Sequence, residues 1–412
     1  HPRAMYMAAA ILAGLALLPG LPAFPFLLLA GAAAGLGVVS RRAERKPAPP
    51  TSPPPRPGDP PATQQARDFL QMESLELELG VGLIALVDEG QGGDLLQRIS
   101  IMRRQIALEL GLIAPAARIR DNVQLPPTEY AIRLRGVKVA GGEVLPRYLL
   151  ALDVAGGLPP IEGIRTKDPS FGLPAVWISP DRRVEAEASG YSVVEPQTVL
   201  STHLMETVRR HAGELLSRQG AKELLDALRE THPALVDDLV PGKLPLGTVH
   251  RVLQRLLREG VPTRDLATIL EVLSDAAEST KDAEALTEQV RRSLGPVIAQ
   301  LYADHDGTVR GITIGPRLEA ALMQFFTPRP TLQSSPTLDP EQLTGLLRGL
   351  TELAAARPEG RVRPLISPPA LRVGIRRLIE PLLPELPVVS LGELPPQTAL
   401  LSSALWEIPR AA

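Results

Sequence analysis

The sequence predicts an α+β chain of several subdomains, preceded by two transmembrane helices. Three observations carry this. The N-terminus is a long uncharged stretch with a basic flank, short strand patterns separated by turn residues fill residues 75–200, and amphipathic helices follow from residue 201 until α/β patterning returns beyond Pro296. With 412 residues there is room for two to four cored units at roughly 100–200 residues each. The charges nearly cancel, 44 basic against 46 acidic, which lacks the electrostatic footprint of a nucleic-acid binder. The chain has no cysteine, so disulfides, thiolate metal sites and cysteine nucleophiles are excluded and a reducing compartment fits.

The uncharged stretch runs from Ala4 to Val39, too long for a core helix or a signal-peptide apolar region. Pro19, Gly20, Pro22 and Pro25 divide it into two runs. Each run reaches only roughly 20 Å at about 1.5 Å per residue, so two tightly connected spans with extended ends, or a hairpin dipping into the bilayer, are the readings for residues 1–40. Arg41, Arg42, Arg45 and Lys46 then supply the positive flank that places the remainder in the cytoplasm. Between Lys46 and Pro61 there are nine prolines in sixteen residues, a semi-rigid spacer within a linker over 41–72. A ligand for a polyproline-binding domain is the other reading. A first residue of His1 rather than Met reads as a processed chain or the downstream part of a longer one, and the membrane-type start favours the second.

After the linker, residues 75–88 (LELELGVGLIALVD) read as a strand. A Gly-rich turn follows, then a helix capped by Asp94 and stopped by Gly111, with Leu95, Leu96, Ile99, Met102, Ile106 and Leu110 on its apolar face. The turn lacks the Lys and Ser/Thr of a phosphate-binding loop. Strands are expected in ARIRDN, in YAIRLRGVKV, after the Gly141-Gly142 turn in RYLLALDV, in FGLPAVWI and in GYSVVE. From Thr202 to Gly220 a helix is expected, followed by further helices to Leu294, the one over 246–259 carrying Leu246, Val249, Val252, Leu253, Leu256 and Leu257 as one stripe. Beyond these, strands are expected at TVRGITIG, RVRPLIS and PVVSL, helices at EQLTGLLRGLTELAAAR and ALRVGIRRLIEPLL, and a loop at 327–340.

No catalytic constellation emerges. The six histidines include no HExxH, and no GxSxG occurs. His203 and His211 lie eight apart on one expected helix and could share a face, while Asp304, Asp306 and Gly307 form half a calcium loop without its downstream ligand, better read as a turn. These absences turn the expectation from an enzyme toward a protein that docks other chains, with no cofactor and no metal.

Segments 103–111, 119–137, 168–178, 190–204 and 235–273 resemble the cytoplasmic part of the FlhA/SctV family of type III export-gate proteins. FGLPAVWI and the THL at 202–204 resemble the flagellar rather than the injectisome branch, which remains the alternative. The resemblance implies a first subdomain split over 73–127 and 191–215, an inserted β-rich second subdomain over 128–190, a helical third over 216–295 and an α/β fourth over 296–412. It also implies a multi-pass protein of the bacterial inner membrane whose cytoplasmic part forms a ring of nine, joined by linker and third-subdomain contacts. Such a part receives flagellar export chaperones with late substrates, takes part in substrate switching, and works beside other export-gate membrane proteins and an export ATPase complex.

Carried over position by position, the family's chaperone-docking surface falls on Leu152, Val154, Asp168, Phe171, Leu173, Val194, Val199 and Thr202, with Phe69 as the linker contact to a neighbouring subunit. A ring with small aliphatics suits an apolar anchor, and Asp168 and Thr202 would add directional polar contacts. Read without the resemblance, Phe171 and Leu173 are equally core residues beside Trp177, Asp168 before Pro169 a turn starter, and Thr202 a helix N-cap.

Overall fold

A computed structural model describes residues 73–88, 90, 93–326, 338–356 and 362–408. The expected membrane spans, the Pro-rich linker, Phe69 and most of the loop at 327–340 lie outside the described residues. Among the described residues, no helix is long and apolar enough to cross a membrane.

β1 (Glu76–Leu79) follows from strict alternation. Leu75, Leu77 and Leu79 are buried on one side, and Glu78 on the other is paired with Arg133 at 2.8 Å. The expected continuation to Asp88 is wrong: Val81–Leu86 is a 3₁₀ helix. Leu83 and Leu86, three residues apart, are its buried positions, so the apolar run repeats with period three rather than two. β1 pairs in parallel with β2 (Arg118–Asp121) and antiparallel with β3 (Glu129–Leu134), which pairs with β4 (Val137–Glu143). The hairpin turns at Arg135-Gly136, with φ of 48° and 79°, and not at Gly141-Gly142. Two consecutive residues at positive φ make the tight turn that suits twisted strands, and glycine accepts it at no steric cost. Gly141 and Gly142 instead lie inside β4, opposite Ala131 and Tyr130.

Across this sheet's core lies α1 (Leu95–Leu110), which buries Leu95, Ile99, Met102 and Ile106 and ends on left-handed Gly111. Asp94 occupies the cap position, but its carboxylate takes Arg98 Nε at 2.7 Å rather than a helix amide. The second sheet is antiparallel, in the order β6 (Ile164–Lys167), β7 (Pro174–Ile178), β5 (Leu149–Leu152), β8 (Ser192–Val194). Its Leu150, Ala175 and Trp177 join the main core, and its Ala151, Val176 and Ile178 form a separate small cluster with Tyr191 and Ala186 of α2 (Arg183–Ala188).

Helix α3 (Pro196–Arg210) starts six residues before the expected onset, with Pro196 in its first turn, and stops at His211. Thr202 is therefore inside the helix and not its cap. α4 (Ala212–Leu215), α5 (Arg218–Arg229), α6 (Pro233–Asp237), α7 (Leu246–Arg258), α8 (Leu266–Ala276), α9 (Ala283–Ser293) and α10 (Gly295–Tyr302) follow. The expected stripe on α7 is buried at Val249, Val252, Leu253, Leu256 and Leu257.

The third sheet is parallel, ordered β11 (Val388–Ser390), β10 (Leu365–Ser367), β9 (Val309–Ile314), β12 (Leu400–Trp406). It is packed by α11 (Pro316–Phe326), α12 (Pro340–Ala355) and α13 (Arg372–Ile379). Sequence reading did not anticipate α11 or β12.

This sheet is shared between two clusters: Ile312, Leu365, Val388 and Trp406 pack in a cluster of their own, whereas Val309, Ile366 and Val389 join the main core. Where the helical stretch meets it sits an ionic joint: Arg291 of α9 donates to Glu393 through Nε and Nη2, both at 2.8 Å, and Arg372 of α13 reaches Glu259 at 2.6 Å and also Glu288. Arg291 is 2% exposed and Glu393 5%. Arg291 also pairs with Glu259 at 3.2 Å, so removing Glu393 strands the buried Nε donor rather than the whole charge. Glu393→Ala should therefore lower stability by about 1–3 kcal/mol in urea denaturation. Breaking the exposed Lys222–Asp226 pair by Asp226→Ala should leave the urea midpoint nearly unchanged on the same measurement. A loss from Glu393→Ala no larger than that from Asp226→Ala would show the joint to be solvated.

Candidate functional site

The residues expected at the site come from four neighbouring pieces. Leu152 ends β5 and pairs across to Ala175 on β7 and Ser192 on β8; Val194 ends β8 beside Leu150. Two residues later α3 begins, carrying Val199 and Thr202. Asp168, Phe171 and Leu173 occupy the connection between β6 and β7. Val154 lies past the end of β5, next to an Asp153 whose carboxylate accepts from the amides of Gly156, Gly157 and Leu158.

These residues differ sharply in depth. Phe171 is 54% exposed and Val154 62%, whereas Leu152, Leu173, Val194 and Thr202 are half-buried and Val199 is fully within the main core. The core reading thus holds for Trp177 and not for Phe171. Asp168 is only 6% exposed.

Geometry explains how an aromatic ring is held out of the core. Asp168 N donates to Leu173 O and Gly172 N to Asp168 O, both at 2.9 Å, closing a six-residue loop. Gly172 supplies the left-handed φ of 70° that the closure needs. Asp168 Oδ2 accepts from Phe171 N at 2.7 Å and from Ser170 N at 3.1 Å. From outside, Arg210 at the end of α3 donates to Ser170 O at 3.1 Å and pairs with Glu385 at 2.8 Å. The start of α3 is tied to α1, where Arg98 donates to Thr198 Oγ1 at 2.9 Å and to Glu195 at 3.0 Å.

Beneath the loop lies a polar pair that sequence reading did not place at the site. Tyr130 of β3 and His203 of α3 approach with Oη to Nδ1 at 2.6 Å, their rings edge to face with centroids 5.8 Å apart. Burial, and secondarily the Asp168 charge, push the Tyr130 phenol upward, so the phenol keeps its proton and one hydrogen bond joins it to Nδ1. Burial, and then the Arg210 cation, push His203 down to about 4, leaving it neutral near pH 7. Asp168 shifts the other way: burial raises its carboxyl, and the Phe171 and Ser170 amides pull it part of the way back. A signal for His203 was available, since it stands in the buried stripe of Val199, Leu200, Leu204 and Val208. His211 does not join it; that ring lies 3.4 Å from Glu214. Among the described residues there is no cluster of three or more His, Asp or Glu suited to a metal ion.

The same mixed α/β fold occurs in cytosolic domains of type III secretion proteins. The Chlamydia pneumoniae CdsV protein in complex with CdsO superposes with a TM-score of 0.71 at 25% identity, covering 81% of this chain and 97% of that one. The nonameric EPEC SctV-C gives 0.64 at 21% identity, over 81% and 98%. The chain belongs to the FHIPEP family, whose model matches residues 1–399. Curated relatives include the flagellar biosynthesis protein FlhA of Bacillus subtilis, 39% identical over 82% of this chain and 50% of that protein. FlhA of Salmonella typhimurium is 37% identical, over 96% and 56%. The chain spans about half the length of these relatives.

A folded-state pKa of about 4 for His203, against an ordinary value of 6.5, means that the unfolded chain takes up a proton first as pH falls. Stability should therefore drop across that window and level off below it. Replacing His203 with Asn, which does not titrate, should flatten the pH dependence of the urea midpoint between those limits; an unchanged slope would mean that the imidazole is protonated in the fold.

Proposed function

We propose that this chain is the C-terminal, cytoplasm-facing portion of a flagellar type III export gate. Its surface around Phe171 docks export chaperones that carry late flagellar substrates, and it takes part in substrate switching without doing chemistry itself. The observation that carries the reading is the exposed Phe171 ring, held on a loop closed by Asp168 and Gly172 beside the half-buried Leu152, Leu173, Val194 and Thr202. An apolar ring that is rigid before binding loses little freedom on docking, so its burial is realised as affinity.

Relatives named as flagellar biosynthesis proteins at 37–39% identity support the flagellar branch. An injectisome gate is the second reading, favoured only by the solved structures, which are 25% identical or less in the instances above. The four-part division at 73–127 with 191–215, 128–190, 216–295 and 296–412 is proposed on the three sheets and the helical stretch between the second and third.

The wider setting is carried over from the family. Residues 1–40 would anchor the chain in the inner membrane, residues 41–72 would space the folded part from it, and Phe69 would contact a neighbouring subunit. The EPEC relative is described as nonameric, and we extend a ring of nine to this chain, working with other gate proteins and the export ATPase complex. Titration with a flagellar chaperone bound to its substrate should give a Kd on the order of micromolar, and Phe171→Ala should weaken it by about 2 kcal/mol, roughly thirtyfold. Equal affinity for the two proteins would remove this surface from the docking role.

A further inference from the structure

We infer that the seam between the helical stretch and the third-sheet region holds a binding site for a phosphoryl anion, gripped from α7 by Arg258 and from α13 by Arg376. The site shares no residue with the surface around Phe171 and does not rest on the docking role proposed there.

Three observations converge. First, cations outnumber anions in the cleft at this seam. Its walls carry five arginines against three glutamates around a cavity of about 170 Å³. One water needs on the order of 10–15 Å³ of cavity, so the space takes a phosphate with part of its hydration. Second, the ion pairs already made leave two of those arginines over. Arg255 and Arg377 share Glu284, the latter through Nε at 3.2 Å, and Arg372 is taken by Glu259 and Glu288. Arg258 makes no hydrogen bond or ion pair among the described residues. Arg376 has only Glu380, whose carboxylate stands 3.8 Å from Nη2 and is more than a third exposed. Third, Arg376 is built into the cleft rather than draped over it. The residue is 6% exposed, Nη1 donates to Leu386 O at 3.0 Å and Nη2 to Pro384 O at 3.1 Å, which fixes the plane of the guanidinium, and its buried Nε has no partner. A buried cation calls for a counter-charge, and an unmatched buried donor carries a penalty that a ligand oxygen removes. The guanidinium fork matches the oxygens of a phosphate, and a doubly charged group with three oxygens can meet Arg376 and Arg258 together. A carboxylate brings one charge and two oxygens, too few to answer both. An anion held in this way bridges the same two parts of the fold that the Arg291–Glu393 joint ties.

Calorimetric titration of the whole chain with inorganic phosphate, at an ionic strength held constant with sodium chloride, tests the site. Binding should saturate, Arg258→Gln should weaken it by roughly tenfold, and Arg376→Gln should abolish it. Because such an anion binds only the folded chain, phosphate should also raise the urea midpoint, and Arg258→Gln should remove most of that rise. A Kd above about 10 mM, or one that Arg258→Gln leaves unchanged, would overturn the inference. Should Arg376→Gln fail to fold, Arg258→Gln, at an exposed position, alone decides. ADP in place of phosphate separates the two sources of the group: tighter binding than phosphate assigns a nucleotide, and equal or weaker binding a free oxyanion.

Discussion

Everything at the candidate site is referred to one helix, α3, and α3 has no freedom to move. Its Val199, Leu200, Leu204 and Val208 are sealed in the main core, a cluster that also contains Leu75 to Leu79 of the first sheet, Leu150 and Trp177 of the second, and the inner stripe of α7. Each such side chain contributes about 1.5–3 kcal/mol by leaving water, so sliding or rotating the helix by one residue would forfeit several of them together. The outward direction of Thr202 follows from that inner commitment. So does the placement of His203, which can tolerate a core position only because Tyr130 meets its Nδ1.

How much of this was legible in the sequence depended on how local the cause was. The alternation of LELEL announced β1, and the stripe of α7 announced its buried face, because both patterns are written within one element. The 3₁₀ helix at Val81–Leu86 was hidden because a continuous apolar run carries no period of its own until a core selects Leu83 and Leu86. YAIRLRGVKV reads as one strand ending at Gly141-Gly142, but the chain turns within it at Arg135-Gly136, and the pairing of β3 with β4 runs through the two glycines. β12 was missed because it pairs in parallel with the distant β9 and carries an irregularity between Ser402 and Ala404 that breaks its alternation.

The candidate site divides along the same line. Phe171 was named from the resemblance, and the residues alone left its exposure open. Asp168 before a proline reads as a surface turn. Its depth is set by Tyr130 and His203, which come from a different strand and a helix far along the chain, and no local pattern records their meeting. Thr202 read as a cap because the helical period was traced only from the THL motif; Pro196, which can begin a helix at no hydrogen-bond cost, was the overlooked start.

Among the polar connections that reach the third-sheet region, two differ in kind. The Arg291–Glu393 joint is buried and bidentate, with Glu259 3.2 Å from Arg291 and Arg372 3.5 Å from Glu393, so its strength lies in the penalty for leaving buried donors and acceptors unmatched, and it ties the helical stretch to the third sheet. The Arg210–Glu385 pair is half-exposed, a class of ion pair that contributes about 0–1 kcal/mol and weakens with salt. Yet this weaker pair is the one sharing an arginine with the Phe171 loop. The loop therefore takes its shape from within, from Asp168, Gly172 and the Tyr130–His203 floor. Movement at Glu385 could cost it one hydrogen bond at Ser170 O without undoing the closure that sets the aromatic ring in place.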